Sequence, residues 1–172
     1  DDVVDGVAKK MLFRHPHVFG TVRAEDSVQA LDTWDAQKRE EKAQRTATDT
    51  LEAVARSLPA LWRAEKVQKK AKKAGFDWPD VSGALDKLSE ELEELKTAVA
   101  EGTNVEEELG DLLFSAVNVS RFVKVDTEEA LNRATDKFIG RKVEEEAARQ
   151  GRALEGMSLA ELDKLWEHAK ET

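Results

Sequence analysis

Apolar residues recur along this chain at the three- and four-residue spacing of α-helices, and its valines are scattered instead of alternating as in strands. Prolines, glycines and short polar stretches separate the periodic segments, and Thr46–Thr50 is predicted to be a linker. We predict an all-α fold, an antiparallel helical bundle. Seven helices are expected, from about Asp2 to Arg14, Glu25 to Arg45, Ser57 to Gly75, Ser82 to Gly102, Asn104 to Val123, Asp126 to Gln150, and from Ser158 onward.

Composition narrows the class of protein. The 172 residues carry 36 acids and 27 bases, a formal net charge of −9, which argues against binding to long nucleic acids. The absence of cysteine excludes disulfides, zinc–thiolate sites and thiol catalysis. No apolar run has the length of a membrane span and no signal peptide is visible, so we expect a cytoplasmic protein without a membrane partner.

Four acids stand beside the apolar stripes of the fourth and fifth predicted helices. Glu91 and Glu94 are three residues apart on one helix, and Glu108 and Asp111 are three apart on the next. A short connection through Gly102 makes these helices antiparallel neighbours, so the four carboxylates can converge in one cleft. A solvated acidic face is the alternative. Because crowded like charges repel, the convergent arrangement predicts a hard cation, Mg²⁺ or Mn²⁺.

Further polar residues extend the pattern. Asn118 lies in a polar seam of the fifth helix, and Lys137 and Arg141 share one face of the sixth. Asn118 could instead be an ordinary amide with its hydrogen bonds satisfied, and Lys137 and Arg141 could be solvated bases. If the two bases face a metal-bound anion, they become phosphate ligands. No glycine-rich phosphate-binding loop occurs, so a metal ion must bind the substrate's phosphates in its place.

These motifs resemble the MazG family of nucleoside triphosphate pyrophosphohydrolases. The family signature, Glu-Glu-x-x-Glu followed after a gap by Glu-x-x-Asp, is matched by Glu90–Glu94, a gap of 13 residues, and Glu108–Asp111. Other segments that resemble the family are Arg14–Gly20, Leu58–Leu61, Gly75–Trp78, Gly110–Phe114 and Val117–Val119.

The resemblance implies roles for single residues. It makes Glu91, Glu94, Glu108 and Asp111 the catalytic, magnesium-binding acids. It assigns the nucleotide and its phosphates to Lys87, Lys137, Arg141 and Trp166, with Asn118 of the polar seam added to that group. Thr135 and Gly140 depart from the family pattern, which often has Asn and Arg there.

The resemblance also implies an organisation and an activity. Residues 1–20 would be the last helix and junction of a preceding similar domain, residues 21–56 a helical linker, and residues 57–172 the catalytic domain of a homodimer. The implied reaction is Mg²⁺-dependent hydrolysis of nucleoside triphosphates, non-standard or damaged ones included, to the monophosphate and pyrophosphate. The alternatives are a narrower enzyme for dUTP or phosphoribosyl-ATP and a non-catalytic regulatory or dimerisation domain.

Overall fold

The computed structural model describes residues 2–20, 26–41, 46–140 and 143–169, and all of its regular structure there is α-helical. No strand occurs in these ranges, which confirms the predicted all-α class. None of the described helices is long and apolar enough to cross a bilayer. The helices are α1 (Asp2–Arg14), α2 (Pro16–Phe19), α3 (Ser27–Glu41), α4 (Ala47–Glu52), α5 (Ala60–Lys73), α6 (Val81–Glu101), α7 (Val105–Phe122), α8 (Thr127–Gly140), α9 (Val143–Arg149) and α10 (Leu159–His168).

Two predictions about helix starts were wrong. The supposed linker after Thr46 is helix α4, because Thr46 and Asp49 cap it reciprocally: the Thr46 hydroxyl accepts from the Asp49 amide, and the Asp49 carboxylate accepts from the Thr46 amide. Helix α6 begins at Val81, one residue before the predicted start at Ser82, because the Asp80 carboxylate accepts the Ser82 amide at 2.8 Å and caps the helix.

The chain divides into two compact units, Asp1–Pro79 and Asp80–Thr172. In the first unit, α1 lies against α3, where the Arg14 guanidinium pairs with Glu41 at 2.7 Å. Arg14 and Lys38 both lie over the ring of Trp34, 5.7 and 4.5 Å from its centroid. The domain limits predicted at residues 20 and 56 stay predictions.

Helices α6 and α7 form the centre of the second unit as a tightly connected pair. Gly102 ends α6 in the left-handed conformation, with φ of 69°, and Asn104 starts α7 with φ of 54°. Glycine adopts this conformation without steric cost, which permits an abrupt reversal of the chain. The short connection makes the two helices antiparallel, as predicted.

The core of this unit is small, and part of the predicted apolar face remains outside it. The buried apolar residues are Ala84, Ala98, Val117, Ala147 and Leu165. Large apolar side chains of both central helices stay exposed, Phe114 among them. Six that recur at helical spacing form what we call the apolar stripe: Leu85, Leu92 and Val99 of α6, and Val105, Leu109 and Leu113 of α7.

The last three helices carry the remaining predicted site residues. The predicted helix Asp126–Gln150 is described as α8 and α9, and Arg141 and Lys142 between them lie outside the described residues. Helix α10 packs against α9, where the His168 ring nitrogen lies 3.6 Å from a carboxylate oxygen of the buried Glu146. This contact lies at the end of the helix that carries Trp166.

The start of α10 yields a pH-dependent prediction. Ser158 and Glu161 form a capping box there: Glu161 accepts from the Ser158 amide and hydroxyl at 2.9 and 2.8 Å, and from Arg152 at 2.6 Å. The hydrogen bond from Arg152, followed by those from Ser158, lowers the pKa of Glu161 from 4.5 to about 2. Because this pKa lies below its unfolded value, the stabilisation is complete above about pH 4.5 and is lost as the pH falls towards 2.

We therefore expect Glu161→Gln to increase hydrogen exchange of the α10 amides at pH 7, and to increase it much less at pH 3. Measuring variant and unmutated chain at the same pH cancels the intrinsic exchange rate. An equal increase at both pH values would contradict the proposed ionic contribution of Glu161.

Candidate active site

Three acids from α6 and α7 form a close group, which we call the acid cluster. Glu91 and Glu94 lie one turn apart on α6, and Glu108 lies in the first turn of α7. One carboxylate oxygen from each residue lies within 4.8 Å of the other two. Among the described residues, no other group of three acids or histidines meets this spacing.

Glu91 is the buried member of the acid cluster, with only 5% of its surface exposed. Its Oε1 pairs with the Lys87 ammonium at 2.8 Å. Its Oε2 is buried and has no hydrogen-bond partner. A buried carboxylate oxygen without a partner is costly, and a bound cation would compensate it.

Lys87 bridges two carboxylates of its own helix. Its Nζ lies 2.8 Å from Glu91 and 2.9 Å from Glu90. These hydrogen bonds, that to Glu91 first, raise the pKa of Lys87. The ammonium therefore stays charged and offsets part of the negative charge of the acid cluster.

The pKa of Glu94 reflects its surroundings in the acid cluster. The loss of water around its carboxylate, followed by the negative charge of Glu91, raises the pKa of Glu94, and the positive charge of Lys87 opposes this rise. A raised pKa means that the folded chain holds the charged form at an energetic cost.

A cleft of about 390 Å³ opens beside the acid cluster. Five of its nine lining residues are glutamates, so an anionic ligand would need a cation between itself and the protein. The lining residues are Glu90, Glu93, Glu94, Thr97, Ala98, Glu101, Thr103, Asn104 and Glu108.

The fourth predicted metal ligand is not in the acid cluster. Asp111 lies one turn after Glu108 on α7 with an exposed side chain, outside the group of three. Asn118 lies two further turns along, and its carbonyl oxygen accepts from the Arg121 Nε and Nη2 at 3.2 and 2.6 Å. The metal-binding role of Asp111 and the nucleotide-binding role of Asn118 stay predictions.

The predicted nucleotide ligands lie on the other helices of the unit. Lys137 is exposed in the last turn of α8, and Arg141 lies outside the described residues. The Trp166 ring packs against Phe138, with 4.7 Å between ring centroids and 41° between planes. Trp166 therefore contacts the residue that follows Lys137.

The sequence prediction missed the bond between Lys87 and the acid cluster, as well as most of the cleft wall. The signal for the first was present, because Lys87 precedes Glu90 by three residues and Glu91 by four, the spacing of ion pairs on a helix. No comparable spacing marks Thr97, which lies in the last part of α6, or Thr103 and Asn104, which lie in the turn between the helices.

Comparison with known proteins places the acid cluster in a recognised domain. Residues 80–144 match the MazG nucleotide pyrophosphohydrolase domain. The chain is 38% identical to a nucleoside triphosphate pyrophosphohydrolase of Escherichia coli, with 99% of this chain and 67% of the relative aligned. It is 41% identical to the nucleoside triphosphate pyrophosphohydrolase/pyrophosphatase MazG of Thermotoga maritima, with 99% and 65% aligned.

A third relative is the uncharacterized protein YabN of Bacillus subtilis, which is 46% identical over the whole of this chain and 36% of its own length. The chain thus spans about two thirds of the first two relatives and about a third of YabN. The alignments with the first two run through the helices that carry the acid cluster. With the matched domain and these identities, the chain belongs to the MazG nucleotide pyrophosphohydrolase family.

Proposed function

We propose that this chain hydrolyses nucleoside triphosphates to the nucleoside monophosphate and pyrophosphate, with Mg²⁺ at the acid cluster. The observation that carries the proposal is the buried, unpaired Oε2 of Glu91 beside Glu94 and Glu108, inside a MazG domain. The names of the Escherichia coli and Thermotoga maritima relatives support this activity.

The donor set fits a hard divalent cation. All three ligands are carboxylate oxygens, which suit Mg²⁺ and Mn²⁺, and the orphaned oxygen of Glu91 supplies a position that only a cation or a donor would satisfy. We assign the metal to Glu91, Glu94 and Glu108, with Asp111 as a fourth ligand. When bound, such an ion neutralises phosphate charge and acidifies a coordinated water.

Other residues of the chain bind the substrate and accept the proton of the attacking water. Lys87, Lys137 and Arg141 bind the phosphates and stabilise the charge that develops on the leaving pyrophosphate. Trp166 and Asn118 contact the nucleotide. Water attacks phosphorus, the bond between the α- and β-phosphates breaks, and an acid of the cluster or Glu107 accepts the water's proton.

We further propose that the substrates include non-standard or damaged nucleotides and that the chain acts as a homodimer in the cytoplasm. The apolar stripe supports the dimer. Leu85, Leu92 and Val99 repeat every seven residues on one face of α6, and the α7 members repeat every four. Exposed apolar rows on two adjacent helices need a covering partner, and a second copy offers an equal row.

Activity is tested by substitution of the acid cluster. We expect Glu91→Gln and Glu108→Gln to lower Mg²⁺-dependent pyrophosphate release by about 100-fold or more, because metal stabilisation of phosphate charge contributes several kcal/mol. The assay measures pyrophosphate and monophosphate released from a panel of nucleotides that includes dUTP and phosphoribosyl-ATP. The two products should form in equal amounts.

Glu106→Gln is the matched control, because Glu106 lies in the same first turn as Glu108 but outside the acid cluster and the cleft. Its activity should stay close to that of the unmutated chain. Full pyrophosphate release by both cluster variants would refute the assigned site. No release by the unmutated chain would favour a non-catalytic domain.

Removal of the metal tests the crowding at Glu94. Because its raised pKa means that the charged form destabilises the fold at neutral pH, Glu94→Gln should raise the thermal midpoint in the presence of a chelator. Added Mg²⁺ should then stabilise the unmutated chain more than the variant. Scanning calorimetry measures both effects, and a lower midpoint of Glu94→Gln in chelator would contradict the argument.

The dimer is tested by mass in solution. Sedimentation should give twice 19.2 kDa, or 38.4 kDa, for the unmutated chain. Leu92→Glu places a charge in the apolar stripe and should shift the mass towards that of a monomer. Leu159→Glu is the control, since Leu159 is exposed outside the stripe. A monomeric unmutated chain at micromolar concentration would overturn the proposed dimer.

A further inference from the structure

Lys87 binds a carboxylate for which a metal ion would compete. Its ammonium lies 2.8 Å from Glu91 Oε1, and that residue also supplies an oxygen to the acid cluster. A divalent cation entering the cluster would share a carboxylate with a positive charge already bound there. Two cations on one carboxylate repel each other strongly where water is scarce, and Glu91 is buried.

Lys87 is also able to leave. Its side chain is 38% exposed, whereas the side chain of Glu91 is 7% exposed, so the acid is fixed and the base can turn outward. Helix α6 presents Lys87 one turn before the acid cluster. A displaced ammonium would therefore remain within reach of an anion held at the cluster.

We propose that Lys87 is an internal counter-ion that competes with the divalent cation for Glu91 and transfers to the substrate's phosphates when that cation enters. The inference rests on the proposed function. Through Lys87 two binding events become coupled: metal binding frees the ammonium for the nucleotide, and phosphate binding removes the competitor of the metal. Such coupling is reciprocal by thermodynamic necessity.

An ordinary surface ion pair is the competing explanation, and the same helix offers one for comparison. Lys96 pairs with Glu93 at 2.6 Å, but both side chains are well exposed, at 60% and 70%. Exposed pairs of this kind contribute little. Lys96→Met therefore removes one positive charge from α6 without removing a ligand of a buried acid, which makes it the matched control.

The experiment titrates Mn²⁺ into the full, nucleotide-free chain at fixed pH and ionic strength, and follows free Mn²⁺ by electron paramagnetic resonance. We expect Lys87→Met to bind Mn²⁺ about fivefold or more tightly than the unmutated chain, the range of a coupling between two sites. Lys96→Met should stay within about twofold. Lys87→Arg keeps the charge and should stay near the unmutated affinity.

Because the loss of Lys87 leaves Glu91 unpaired, Lys87→Gln serves as a second charge-removing variant, and circular dichroism confirms the fold of each. Equal or weaker Mn²⁺ binding by Lys87→Met and Lys87→Gln would overturn the counter-ion proposal. So would an equal gain in Lys96→Met. If the unmutated chain still cleaves nucleoside triphosphates, the proposed function survives either result. If no variant binds Mn²⁺ and no triphosphate is cleaved, both proposals fail.

Discussion

Repulsion among three carboxylates is the interaction on which this structure depends. Two helices bring the oxygens of Glu91, Glu94 and Glu108 within 4.8 Å of one another, and one of these acids is buried. Such crowding is unfavourable by itself. The pKa of Glu94 is raised first by the loss of water around its carboxylate and then by the negative charge of Glu91. The fold maintains the arrangement, so the free energy stored there becomes available to a cation.

The two helices that bring these acids together are joined by a short turn and packed around small side chains. A left-handed Gly102 reverses the chain, and small buried residues such as Ala84 and Ala98 fill its centre. Large apolar side chains of the same helices lie outside that core. The pair therefore carries the acid cluster on one part of its surface and exposed apolar side chains on another. About forty consecutive residues form both surfaces.

Much of this arrangement could be predicted because it follows from periodicity. The three-residue spacing of Glu91 and Glu94, and the glycine between the helices, predict convergence without any knowledge of side-chain rotamers. Periodicity does not determine which acids approach closest: the three oxygens within 4.8 Å of one another belong to Glu91, Glu94 and Glu108, and Asp111 is not among them. Local hydrogen bonds were missed for a related reason: the cap between Thr46 and Asp49 turns a polar stretch into a helix.

The rotation of α7 about its axis has a consequence for how this sequence can change. Ser115 and Val117 are buried and fix which side of the helix faces inward. Each residue turns an α-helix by about 100°, so one insertion or deletion between Glu108 and Ser115 would swing Glu108 away from its two partners. Substitution can vary the chemistry of this segment, whereas an insertion or deletion within it would separate the three acids.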